Sequence, residues 1–591
     1  MPELIVDKLL SRVSQPDQYI GLEANRRCAD PAGAEVSVAL AFPDTYAIGI
    51  SHLGSHVLYH ALNDLPGVAC DRTYCPALDA EQVMRAEGVE LFGWESRLPV
   101  RTFDILGFSL SYELCATNVL TMLDLAGLAL RAERRGEGTP LVIAGDALAD
   151  SPEPMAPFVD LFVAGDGEVG LPALAELVRR AKRDGATREE LLLEAARTIP
   201  GAYVPRFYRP EPTATGLAVP RPIREDVPEV IERAHLAELA DSPDMAAPLV
   251  PVAEGVHERV MIEIMRGCPN GCRFCQAGHV RRPVRWRSVD QIVRIARSAI
   301  DATGYDEISL LSLSTSDHPQ LDELIERIQA EFAGEHVSIS LPSLRVDAQL
   351  KHLPKLAADV RKGGLTIAAE AGSERLRRAI RKRITEEDML SGVRSAYEAG
   401  WGKVKVYFMA GLPGETDEDI AAIAELCRRL SRTGKEVRGT PGSIHASVSW
   451  FVPKPHTPMQ WDAMRGEAYF WSVRRRLQES VKRSAVSVKF HFIERSMLEG
   501  VIARGDRRVA DVIEAAWRGG ARMDSWTEHF DYAKWAAAFH ETGVDPAGIA
   551  ERELPTDAPL PWSHIRCCSE EAFLVRERSR YLEALGDGQQ R

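Results

Sequence analysis

Short apolar runs alternate with helical stretches twice along this chain, and that alternation leaves few folds open. "EVSVALAFP" (35–43), "FDILGFSLS" (103–111), "PLVIAGD" (140–146) and "DLFVAGDG" (160–167) read as strands, with helical stretches such as "GSHVLYHALNDL" between or after them. Apolar strands alternating with helices build a parallel sheet covered on both faces. The first block therefore predicts an open, doubly wound α/β domain over residues 1–200. The pattern resumes at 256 with "RVMIEIMRG" and runs to "IHASVSWFVPKPHTP", giving six β/α units. Six is short of the eight that close a barrel, so a partial (β/α)6 barrel, open on one side, is expected over 256–480. Residues 201–255 are proline-rich and aperiodic, as in an extended segment crossing between domains. Residues 481–591 read as a mainly helical extension. A chain of 591 residues exceeds the roughly 250–300 that one core supports, in keeping with this division.

The net charge of −14 argues against a protein that coats nucleic acid by charge alone. The N-terminal stretch has no basic segment leading into an apolar one, and no apolar run approaches the roughly 20 residues of a membrane span. A soluble cytoplasmic protein is expected, with its cysteines reduced. Three of the ten cysteines then stand out, in "IMRGCPNGCRFCQAGH" at Cys268, Cys272 and Cys275. Isolated thiols such as Cys28, Cys115 and Cys427 suit a buried apolar role. Three thiols on one short polar loop suit a shared inorganic centre. Structural zinc needs a fourth ligand, which His279 could supply. A 4Fe–4S cluster held by three thiolates would leave one iron open to a further ligand.

The CxxxCxxC pattern, with Phe274 before the third cysteine and the loop after the first strand of a β/α series, resembles the radical S-adenosylmethionine (radical SAM) family. That resemblance covers 256–460. It implies that the open iron chelates S-adenosylmethionine. One electron from the cluster then cleaves the sulfonium bond to methionine and a 5′-deoxyadenosyl radical, which abstracts hydrogen from a substrate. It further implies a one-electron donor such as flavodoxin or ferredoxin. Ser312 and Ser314 in "LLSLSTSD" stand where many members carry Gly-Gly-Glu. Ser343 and Arg345 in "LPSLRVD" could meet the carboxylate, and Glu370 matches a ribose-contacting position. Gly411 and Gly414 in "GLPGET" would let backbone approach adenine.

An α/β domain ahead of such a barrel resembles the cobalamin-binding subclass. "FPDTYAIGISHLG", "GFSLSYE" and "IAGDALAD" would then be the loops around the corrin. The chain lacks the Asp-x-His-x-x-Gly spacing of base-off mutases, although Asp44, His52 and His56 lie in the region. A corrin with no histidine below it is the expectation. "FPDTYAIGISHLG", "FVPKPHTPMQW" and "RGDRRVADVIEAAWRGGARMDSW" resemble an uncharacterised group of long bacterial radical SAM proteins. The resemblance implies methylation of an unactivated carbon through cobalamin. The rival is a cobalamin-free enzyme acting on RNA or protein, and a third reading is a purely structural iron or zinc protein. Six arginines and no acid lie between Ile264 and Val289, and "RLRRAIRKR" (375–383) adds six basic residues. The second run suits a solvated helix face; either could also meet phosphates.

Overall fold

The computed structural model describes residues 2–342 and 365–586. The N-terminal sheet contains β1 (Val36–Phe42), β2 (Val68–Tyr74), β3 (Ile105–Ser109), β4 (Leu141–Gly145), β5 (Leu161–Val163) and β6 (Ala202–Tyr203), in the order β2-β1-β3-β4-β5-β6. β1 to β5 are parallel and β6 closes the edge antiparallel. Every residue of β1 and β3 is buried, which is why both read as unbroken apolar runs. The 2-1-3-4-5 order is doubly wound and reverses between β1 and β3, so a crevice opens at the carboxyl ends there.

The proline-rich segment is more paired than its composition suggests. It holds the hairpin β7 (Tyr208–Pro212) and β8 (Ala218–Pro222), and β9 (Ile231–Glu232), which pairs with β19 (Ile565–Arg566) near the C-terminus. The prolines fit because β7 and β8 form a two-stranded ribbon with free outer edges.

In the second block, β10 (Val260–Glu263), β13 (Glu307–Leu311) and β14 (Ser338–Ser340) form one parallel sheet. The short antiparallel pair β11 (Met265–Arg266) and β12 (Arg285–Trp286) brackets the cysteine loop. A second parallel sheet holds β15 (Leu365–Glu370), β16 (Lys403–Ala410), β17 (Ser443–Trp450) and β18 (Val486–Phe490). β18 corrects the sequence reading: the parallel series has a seventh strand, inside the stretch assigned to the helical extension. Only its first residue is buried, so its edge position leaves no apolar run to read. No ladder joins β14 to β15 among the described residues.

The family-like motifs act as joints between these parts. Asp44 accepts hydrogen bonds from Trp526 Nε1 at 2.8 Å and Ser525 Oγ at 3.1 Å. Thr117 donates to Asp524 at 2.6 Å. In "FVPKPHTP", half-buried Lys454 pairs with Glu499 at 2.8 Å and with Glu113 of the "GFSLSYE" loop. These contacts tie the N-terminal block to the C-terminal extension and, through Lys454, to the barrel.

Candidate functional site: a cysteine loop beside an interdomain cavity

The cysteine loop leaves β11 at Gly267, whose φ of +90° puts a would-be Cβ 2.6 Å from the Arg281 carbonyl, so only glycine fits. The loop is pinned from outside. Arg273, buried, hydrogen-bonds to the Ala379 carbonyl at 2.6 Å, and its amide to that of Ile380 at 3.1 Å. Cys268, Cys272 and Cys275 are half-buried. Burial pushes the Cys272 thiol up to about 11; Lys382 opposes that shift while Cys275, Cys268 and Glu370 add to it. Cys275 is likewise raised by burial, with the Gly278 amide opposing. Among the described residues no group of three or more His, Cys, Asp or Glu side chains stands in metal-holding geometry. The donor chemistry nevertheless fits an iron–sulfur group: three thiols on one loop feel one another's charge, and a bound metal would deprotonate them outright. His279 Nε2 faces the Cys272 carbonyl at 3.2 Å while its buried Nδ1 has no hydrogen-bond partner, and among the described residues the ring forms no metal-holding group with the cysteines.

Several expected residues come to this loop. Asn270 Nδ2 lies 3.4 Å from Cys268 Sγ and donates to Asp317 at 2.8 Å, with Ser314 Oγ at 3.3 Å. Ser312 lies on the cavity wall described below and pairs with Thr315 at 2.9 Å. Glu370 sits at a β-bulge with φ +65°, a strained geometry for a side-chain-bearing residue, and Lys382 Nζ is 3.2 Å from its Oε1. Phe274 packs with Leu376, Met409, Leu412 and Phe451. Ser343 and Arg345 lie outside the described residues.

Gly411 and Gly414 have φ of +99° and +69°, but the approach they permit is to the chain itself. A Cβ at Gly414 would meet Leu585 at 2.6 Å, and one at Gly411 would meet Phe470 at 2.6 Å. Just after them, Glu415 accepts from the Gly411 amide at 2.7 Å and from Tyr469 Oη at 2.5 Å. Burial nevertheless pushes its carboxyl up to about 7. A carboxyl raised in the folded state contributes fully below its unfolded value of 4.5 and loses that contribution as pH rises toward 7. Glu415→Gln is expected to flatten the pH dependence of stability across that window, an effect of about 3 kcal/mol at its upper end. Urea midpoints at several pH values check this; an unchanged slope contradicts it.

A cavity of about 420 Å³ lies where the two blocks face each other. Gly107, Phe108, Ser109, Gly145 and Asp146 line it from the carboxyl ends of β3 and β4, Glu263, Leu311 and Ser312 from those of β10 and β13, and Met265 from β11. Leu40, Val57, Leu58, Val163 and Leu171 make its walls apolar, and Gly267 and Ala277 join it to the cysteine loop. Ion pairs spanning the two blocks hold it open. Buried Arg266 binds Glu263 at 2.8 Å, Glu168 at 2.7 Å and Asp166 at 3.2 Å. Arg285 binds Asp166 at 2.6 Å. Arg281, from the cysteine-loop side, binds Asp146 at 2.8 Å. Apart from Arg266–Glu263, these pairings join residues 98 to 135 positions apart and were not visible in the sequence.

His52 lines the cavity as well. It caps the helix Leu53–Asn63: its Nδ1 accepts from the Ser55 amide at 3.1 Å. The neutral ring therefore carries its proton on Nε2, 3.8 Å from Asp146 Oδ2, and burial holds its pKa down. His56 is turned to the Ile50 carbonyl at 2.6 Å. Neither ring offers the cavity a free lone pair. Glycines and Ser109 and Ser312 at the sheet ends, apolar walls and a set of paired charges make this a cavity for a largely apolar ligand with polar edges. Elsewhere, the cysteines of the N-terminal block form no metal-holding group with one another among the described residues, and burial raises Cys28, Cys70, Cys75 and Cys115.

Comparison with known proteins bears on both parts. Residues 54–205 match the family described as radical SAM proteins, N-terminal, and residues 262–427 match the radical SAM superfamily. The uncharacterized protein MJ0966 of Methanocaldococcus jannaschii is 25% identical over 86% of this chain and 97% of its own. A tRNA-2-methylthio-N(6)-dimethylallyladenosine synthase of Sorangium cellulosum is 27% identical over 29% of this chain and 39% of its own. The threonylcarbamoyladenosine tRNA methylthiotransferase MtaB of Treponema pallidum is 28% identical over 34% of this chain and 42% of its own. The chain thus spans less than half the length of these two methylthiotransferases. No helix among the described residues is long and apolar enough to cross a membrane.

Proposed function

Because the chain belongs to the radical SAM superfamily, and is an enzyme, we propose that it methylates an unactivated carbon with the help of cobalamin held in the interdomain cavity. The observation that carries this reading is the cavity's place: it opens at the carboxyl ends of both parallel sheets and adjoins the cysteine loop. In this reading Cys268, Cys272 and Cys275 hold a 4Fe–4S cluster, which when bound supplies the electron for reductive cleavage of S-adenosylmethionine. Asn270 orients Cys268, and Phe274 packs the loop against the barrel. Ser312, Ser314 and Glu370 are assigned to S-adenosylmethionine, and so are Ser343 and Arg345. Gly411 and Gly414 shape the neighbouring loop. Lys382 neutralises Glu370 and sets the charge beside Cys272. Glu370→Ala is expected to weaken S-adenosylmethionine binding by about 1–3 kcal/mol, since it also leaves Lys382 unpaired. Titration calorimetry checks this; an unchanged dissociation constant removes Glu370 from the site.

The division proposed is a corrin unit over 1–200, a crossing segment over 201–255, the barrel from 256 and the C-terminal extension, with β18 now counted in the barrel. A reducing, cytoplasmic setting is proposed with it, which the free cysteines suit. A second reading, favoured by the tRNA-modifying names of the methylthiotransferase relatives, is a cobalamin-free enzyme acting on RNA. Corrin bands that survive desalting after anaerobic reconstitution separate the two readings.

A further inference from the structure

We infer that a collar of arginines outside the cysteine loop is the docking face for an acidic one-electron donor protein; this rests on the cluster reading above. Arg282 and Arg381 flank the loop: a Cβ on Gly271, between Cys268 and Cys272, would stand 3.3 Å from a guanidinium nitrogen of each. The C-terminal helix Glu571–Gly586 brings two more. Phe573 lies under Arg282 at 5.9 Å and under Arg576 at 5.8 Å, and its ring is 6.2 Å from that of His279. Arg580 pairs with Glu577 at 2.6 Å. Glu577 is itself buried at 2% exposure and shared with Arg381 at 3.5 Å and Arg273 at 3.1 Å. One sunken carboxylate therefore serves several guanidiniums, while Arg576 and Arg580 project into solvent, the latter 59% exposed.

This positive face is local on a chain of net charge −14, so an acidic partner is attracted there and repelled by the rest of the surface. Arg282, Arg381, Arg576 and Arg580 do not line the cavity, so a donor seated on them leaves its lining uncovered. An acidic donor seated there gives up one electron and is oxidised by one unit; the iron–sulfur group accepts that electron and is reduced by one. No bond or proton moves in this step.

The test uses the full reconstituted chain, with S-adenosylmethionine cleavage driven either by reduced flavodoxin, an acidic protein, or by dithionite. The double variant Arg576→Glu/Arg580→Glu is expected to lower the flavodoxin-driven rate about tenfold or more, and to leave the dithionite-driven rate unchanged. In the unaltered chain, raising salt should slow only the flavodoxin-driven reaction. A flavodoxin-driven rate insensitive to both the variant and salt overturns the docking face. So does loss of tRNA binding in the variant with an unchanged flavodoxin-driven rate, which would assign the collar to RNA. An unaltered chain that cleaves nothing even with dithionite overturns the cluster reading itself.

Discussion

Replacing Cys268, Cys272 and Cys275 together with alanine is expected to abolish bound iron and S-adenosylmethionine cleavage in one step. The three thiols share one loop, and among the described residues no group of three or more His, Cys, Asp or Glu side chains offers another metal-holding set. The fold should survive. The loop is tethered through Arg273 and through the Gly267 turn, not through the sulfurs, and each half-buried truncation costs on the order of 1 kcal/mol. A companion variant with Cys567 and Cys568 replaced should keep both iron and activity, because those thiols lie outside the loop. Iron analysis of the reconstituted protein and chromatography of 5′-deoxyadenosine check both. Iron retained at unaltered stoichiometry in the triple variant would remove the loop from the centre.

The second large effect falls on the joint between the two blocks. Asp166 is 2% exposed and accepts from Arg285 at 2.6 Å and from the Leu236 amide at 2.9 Å, with Arg266 at 3.2 Å. Arg266 and Arg285 hold its carboxyl at about 2, against the upward push of burial. Asp166→Ala leaves Arg285, which is 4% exposed, with only carbonyl partners at Leu236 and Pro283. Removing one partner of a buried pair costs about 3–5 kcal/mol. The expected result is a lowered urea midpoint together with loss of whatever the cavity binds. Because the folded pKa is depressed, the stability Asp166 provides is complete above its unfolded value of 3.8 and fades as pH falls toward 2. The variant should therefore lack that part of the acid sensitivity. A variant as stable as the parent would mean that the joint does not depend on this pair.

The parts of the fold that could be read in advance are those whose burial is apolar. β1, β3 and β4 announced themselves because their side chains pack on both faces of a sheet. β2, "VACDRTY", is equally buried but hides its strand character behind polar residues. Arg72 is held by Glu23 at 3.0 Å and Glu95 at 2.9 Å, and Asp71 by Ser96 at 2.6 Å, partners that lie 23 to 49 residues away. β18 was hidden for the opposite reason, being largely uncovered at a sheet edge. At the site, the cysteine spacing was legible because it is local. Lys382 was read as part of a solvated basic run, yet it pairs with Glu370 beside Cys272, an arrangement set by the β-bulge rather than by spacing. The cavity's lining loops were legible as strand ends, whereas its ion pairs, each joining distant segments, were not.

The account's central claim is that a cluster on the cysteine loop and a corrin in the interdomain cavity serve one site. Anaerobic reconstitution with iron, sulfide and hydroxocobalamin, followed by desalting and assay of iron and corrin in the same fraction, tests it most directly. The account predicts about four irons and about one corrin per chain. It also predicts a corrin spectrum unchanged by His52→Ala, because His52 Nδ1 is occupied by the Ser55 amide and Nε2 carries the proton. Four irons with no corrin retained would contradict the cobalamin assignment and leave the RNA-directed reading in its place.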